Sequence, residues 1–172
     1  MRKLVAESLN EVMGFERSDD IKVSLQLGKR VPIVKWLDTM GVENYTINPD
    51  WTIDVIGDVK LSYKNLIEFP DYIKFNNVSG DFGCSNNQLT SLKGCPTSVG
   101  GGFWCSYNQL TSLEGCPTKV GGVFYCSNNQ LTSLKGCPIS VGGYFYCKNN
   151  PGKFTKEDVL KVCKVNKSKI YV

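Results

Sequence analysis

From about Val55 onward the apolar residues recur at a fixed long interval, the signature of a repeat rather than of one helix or strand. Three stretches read FGCSNNQLTSLKGCPTSVGGG from Phe82, FWCSYNQLTSLEGCPTKVGGV from Phe103 and FYCSNNQLTSLKGCPISVGGY from Phe124; a fourth opens as FYCKNNP at Phe145. A degenerate copy lies upstream, where VIGDVKLSYKNLIEF from Val55 aligns with VSGDFGCSNNQLTSL from Val78 at an offset of 23. That makes about five coils. Within one coil the key positions are Phe103 and Cys105, then Asn108, then Leu110 and Leu113. Alternation over the first pair predicts a short strand. The spacing that follows fits no strand, so the chain must turn at the Asn and carry the leucines inward along another side. Gly-Cys-Pro and Val-Gly-Gly then bring it back. A single coil leaves its apolar side bare, and stacking buries it.

The flanks carry different periods. Val5, Leu9 and Val12 predict a short amphipathic helix over Met1–Phe15. A second helix is expected from near Arg30 to Met40, with Pro32 in its first turn, Ile33, Leu37 and Met40 on one face and Gly41 as its stop. The intervening SDDIKVSLQLG is ambiguous between helix and strand. YTINPDWTIDVIG alternates on both sides of Asn48-Pro49-Asp50 and predicts a hairpin leading into the first coil. Near the other end Thr155 and Asp158 form a capping-box-like start for a helix carrying Val159, Leu160, Val162 and Cys163. The organisation expected is therefore an N-terminal cap over 1–54, repeats over 55–151 and a C-terminal cap helix and tail over 152–172. Caps are physically required, because open coil ends expose strand edges and apolar side chains.

The repeat resembles the leucine-rich repeat, LxxLxLxxNxL, with Phe or Val and then Cys or Leu at the strand positions. The resemblance implies an α/β solenoid of short coils, with a five-stranded parallel sheet on its inner face. It also places Asn87, Asn108, Asn129 and Asn150 in a ladder of buried amides that bond neighbouring coils. Lys64 departs from the pattern at the Asn position of the earliest coil, and the glycine pairs leave no room for a helix on the outer side. The CSNNQLTSLKGCP wording is similar to repeat proteins of tailed phages and bacteria.

Composition narrows the chemistry. The chain of 172 residues is 41% hydrophobic and 21% charged, enough for one cored domain with a small appendage, and its net charge is +4. It contains no histidine, which excludes Ser/His/Asp and Cys/His triads and removes the commonest metal ligand. No paired carboxylates, phosphate loop or nucleophile with a base can be placed together, so an enzyme is not expected, nor a cofactor. No apolar run is long enough to span a membrane and the N-terminus is too polar for a signal peptide; the expected compartment is the cytoplasm.

Cys84, Cys105, Cys126 and Cys147 form one series at intervals of 21, and Cys95, Cys116 and Cys137 a second, with Cys163 outside both. At inward positions these thiols serve as small apolar packing. No CxxC pair supports zinc, and disulfides between coils do not suit a cytoplasmic chain.

Residues between and beside the inward pair point to solvent, and over the last three coils they are aromatic. Trp104, Tyr125 and Tyr146 are expected to stack at about 4.8 Å per strand, flanked by Tyr107, Val123 and Tyr144. Such a contiguous patch suits a binding site for a protein partner, for instance a host or defence factor. Stabilisation of the sheet by cross-strand stacking is the plainer account. Six lysines follow Pro151, but with no arginine there nucleic acid is the lesser reading and a solvated cap helix the greater. A structural role inside a phage particle is the alternative class. There MRKLVAESLNE would act as a leader, with Leu9-Asn10-Glu11 as a cleavage tripeptide.

Overall fold

The computed structural model describes residues 17–172, with side chains in the first helix from residue 27 onward. The predicted leading helix over Met1–Phe15 and the Leu9-Asn10-Glu11 tripeptide lie outside the described residues. The chain enters through helix α1 (Arg17–Met40) and an antiparallel hairpin of β1 (Tyr45–Ile47) and β2 (Ile53–Val55), as the alternation about Asn48-Pro49-Asp50 predicts. It then winds through β3 (Val59–Lys60), β4 (Phe75–Val78), β5 (Phe82–Gly83), β6 (Ser98–Val99), β7 (Phe103–Trp104), β8 (Lys119–Val120), β9 (Phe124–Tyr125), β10 (Ser140–Val141) and β11 (Phe145–Tyr146). Helix α2 (Lys156–Val162), a 3-10 turn (Lys167–Lys169) and β12 (Ile170–Tyr171) close it.

The result is a β-solenoid of about six turns with parallel sheets. Two sheets run its length, not one. The first has the order β1-β2-β4-β6-β8-β10 and the second β3-β5-β7-β9-β11-β12. The five-stranded inner sheet of the sequence reading is thus a six-stranded second sheet, and its sixth strand comes from the tail beyond Pro151. The Ser-Val dipeptides read as return loops are strands of the first sheet, in register from β4 to β10.

Both corners between strands are set by backbone proximity. A Cβ on Gly121 would collide with the Gly100 carbonyl, and one on Gly142 with that of Gly121, so the Gly-Gly corner stacks backbone on backbone between coils. At the opposite corner Asn86, Tyr107, Asn128 and Asn149 all adopt left-handed backbone, with φ between 55° and 57°. These two corners are why the strands from β5 onward are only two residues long.

The interior is a set of columns. Phe82, Phe103, Phe124 and Phe145 are fully buried, with successive ring centroids 5.6, 5.9 and 5.2 Å apart. Val78, Val99, Val120 and Val141 face them from the first sheet, and the leucines of each QLTSL close the third side. At the N-terminal end Trp36 of α1 sits 6.1 Å from Phe69 and 6.4 Å from Phe75, covering the phenylalanine stack.

The amide ladder forms as expected. Asn108 Oδ1 accepts from the Leu89 N–H of the preceding coil at 2.9 Å, while its Nδ2 donates to Cys84 O at 3.0 Å and to Cys105 O at 3.1 Å. Asn87, Asn129 and Asn150 repeat the arrangement. A buried amide bonded on every side ties adjacent coils together and excludes a slipped register.

Helix α1 corrects the sequence reading: the chain is already helical at Arg17, well before Arg30, so Pro32 lies inside the helix rather than in its first turn. The missing proline N–H leaves the Gly28 carbonyl without a helical partner, and Gly28 is on an exposed turn where water can serve it. The Thr155–Asp158 capping box is present in full.

Candidate functional site

Inward Phe and Cys fix which residues of the second sheet face solvent. The register Lys60, Gly83, Trp104, Tyr125, Tyr146, Tyr171 forms one outward column across six adjacent strands. Beside it runs a second column of Asp58, Asp81, Gly102, Val123, Tyr144 and Lys169.

The aromatic end of these columns is tightly associated. Tyr125 and Tyr146 stack with centroids 4.6 Å apart, and Tyr146 stacks on Tyr171 at 4.8 Å. Tyr144 lies 6.0 Å from both Tyr146 and Tyr171. Desolvation among these rings, with Tyr171, Tyr125 and Tyr144 as neighbours, pushes the Tyr146 phenol above its ordinary pKa. Trp104 does not join the ring stack. Its indole folds back over Gly102, where a Cβ would collide with the six-membered ring. Glycine at that place in the column is what allows the indole to lie flat.

Tyr107 is also placed differently from the expectation. It occupies the left-handed corner, φ 55°, rather than the strand, and is 56% exposed. Of the equivalent positions, Asn86, Asn128 and Asn149 hold asparagine, which tolerates that conformation, and Tyr63 of the first coil, φ 59°, holds tyrosine. In the same coil Ser106 Oγ is buried with no hydrogen-bond partner, although Ser62, Ser85 and Ser127 each accept from a backbone N–H of the next coil. Val123 is half-buried beside the tyrosines.

The structure therefore brings Trp104, Val123, Tyr125, Tyr144 and Tyr146 onto one face and puts Tyr107 at its rim. Three residues of that face escaped the sequence reading: Tyr171, Lys148 and Lys169. Lys148 Nζ sits 5.7 Å from the Tyr171 centroid and Lys169 Nζ 5.7 Å from that of Tyr144. A signal existed, since Ile170-Tyr171 repeats the inward–outward pair Phe145-Tyr146. The offset of 25 and the intervening α2 hide it from the 21-residue comb.

The cysteines pack as two columns of free thiols, all buried except half-buried Cys137. Burial drives the thiols of Cys95, Cys105, Cys116 and Cys126 upward in pKa, which keeps them protonated and unreactive. Cys163, outside both series in sequence, meets the end of the second column. The Cys137 thiol adjoins it, and this contact, together with burial, raises the Cys137 pKa. Among the described residues no group of three His, Cys, Asp or Glu side chains is arranged to hold a metal, and no helix is long and apolar enough to cross a membrane. No protein-family model matches the chain, and no curated protein or solved structure is similar enough to name a relative.

Proposed function

We propose that the chain is a non-enzymatic binding module that holds a protein partner on the outward face of its second sheet, through Trp104, Tyr107, Val123, Tyr125, Tyr144, Tyr146 and Tyr171. The observation that carries this reading is the difference between the two sheets. From β4 to β10 in the first sheet and throughout the second the strands pair parallel and in register, yet the outward column of the first is Asn77, Ser98, Lys119 and Ser140, whereas that of the second ends in Trp104, Tyr125, Tyr146 and Tyr171. Polar residues satisfy the outward position in the first sheet, so coil geometry does not demand aromatics there. Tyrosine supplies broad, rigid, amphipathic contact at little entropic cost and is enriched among binding hot spots.

Six strands at about 4.8 Å span some 24 Å, which suits a peptide segment or one protein edge. The leucine-rich-repeat likeness, of the short proline-containing type of tailed phages and bacteria, supports a role in engaging a host or defence component. A cytoplasmic setting goes with this, since thiols used as core packing stay reduced there. The test is capture from host lysate by the native chain and by a Trp104→Ala/Tyr125→Ala/Tyr146→Ala variant, after circular dichroism has shown both folded. A partner held by the native chain and lost by the variant is expected; identical capture by both would make the aromatic face structural.

A further inference from the structure

The charge around this face narrows the kind of partner that fits it. Beyond Gly115 the chain carries nine lysines and two acidic residues. Both acids are already engaged, Asp158 with Lys161 at 2.9 Å and Glu157 with Lys167 at 2.6 Å. Lys148 and Lys169 stand on the tyrosine face itself, held over ring faces, and among the described residues neither has a carboxylate partner. An apolar ladder bordered by two uncompensated ammonium groups complements a segment that is acidic as well as hydrophobic.

The ring geometry favours a polypeptide over a single-stranded nucleic acid. Tyr146 is covered on both sides, by Tyr125 at 4.6 Å and Tyr171 at 4.8 Å, and Lys148 lies over Tyr171, so most of the stack offers edges where a base needs an open face. No arginine lies beyond Arg30 to grip phosphates in a fork.

We propose that the face takes an acidic segment of a protein partner, with carboxylates against Lys148 and Lys169 and apolar side chains against Tyr125, Tyr146 and Tyr171. This rests on the protein-binding reading above and specifies its chemistry. The test uses three peptides of equal length and aromatic content, rich in Glu, Gln or Lys respectively, and an oligo(dT) strand. Each is titrated into the full native chain and into a Lys148→Glu/Lys169→Glu variant while the NMR shifts of Tyr125, Tyr146 and Tyr171 are followed. The Glu peptide alone should move these resonances. Its affinity should fall about tenfold or more between about 50 and 300 mM salt, and by a similar factor in the variant. Should the reversal perturb folding, Lys148→Gln/Lys169→Gln gives the same reading with a smaller loss. Equal shifts from the Gln or Lys peptide would overturn the acidic assignment and leave the protein-binding face standing. Shifts from oligo(dT) but not from the Glu peptide would replace the polypeptide by a nucleic acid, and no shift from any probe would overturn both readings.

Discussion

The two ends of the second sheet solve the same surface problem with opposite chemistry. In the early coils the column preceding the inward pair is acidic and serves the backbone: the Asp81 N–H donates to Asp58 Oδ1 at 2.9 Å and the Gly102 N–H to Asp81 Oδ1 at 2.7 Å. At Gly102 that ladder stops, because neither Gly102 nor Val123 has a side-chain acceptor to offer the next coil. The late coils give up a repeating hydrogen bond between turns and gain stacked rings. The early coils show what the sheet needs for its own stability, so the aromatic end is the part that calls for an explanation outside the fold.

What the two ends share is the interior, so the largest perturbations should be blind to the difference. Raising the pH is the strongest. Four buried thiols have raised pKa values, so the folded chain keeps them protonated while the unfolded chain ionises them near their ordinary pKa. Their contribution is complete below the ordinary thiol pKa and is lost as pH rises above it. Urea melts should therefore show lower stability at pH 9.5 than at pH 7.5, by several kcal/mol, on the order of one per thiol, a difference that Cys→Ala replacements should shrink.

Leu89→Ala in an acidic coil and Leu131→Ala in an aromatic coil should each cost about 2–5 kcal/mol in chemical denaturation, since both side chains are fully buried. The surface columns should then separate the two ends. Asp81→Ala should cost about 1–2 kcal/mol through the orphaned Gly102 N–H, whereas Tyr125→Ala should cost under about 1 kcal/mol, the worth of a cross-strand pair. A Tyr125 loss as large as that of Asp81 would make the tyrosines structural and erase the distinction. Smallest of all, Tyr107→Asn should raise stability by up to about 1 kcal/mol by relieving left-handed strain. A thermal melt unchanged or lowered in that variant would show that Tyr107 is held by packing rather than kept for its surface.

The coil was legible because its inward residues hardly vary: Phe, Cys, Asn and two Leu recur with fixed parity, and parity alone assigns Trp104, Tyr125 and Tyr146 to solvent. The first sheet was not legible, since Ser98-Val99 and its copies are too short to display an alternation. The sixth turn was masked by the α2 insertion, and Pro32 pointed to a helix start that the chain passes through. The fold of Trp104 over Gly102 depends on a neighbour in the adjacent column, which a one-dimensional reading of Trp104 does not include. The left-handed corner had a usable sign in Asn86, Asn128 and Asn149, because asparagine is the side chain that visits that region most readily after glycine.

The 3-10 turn before β12 has a consequence for what the molecule can become. A stack of identical parallel coils is geometrically one protofilament of a fibre, with each end a template for the next copy. At the β12 end the Ile170 N–H turns back to the Lys167 carbonyl, so a donor that would recruit another strand is consumed within the chain. Strand addition at that end is therefore opposed locally, and at the opposite edge of the same sheet exposed Lys60 on β3 places a charge where another strand would pair.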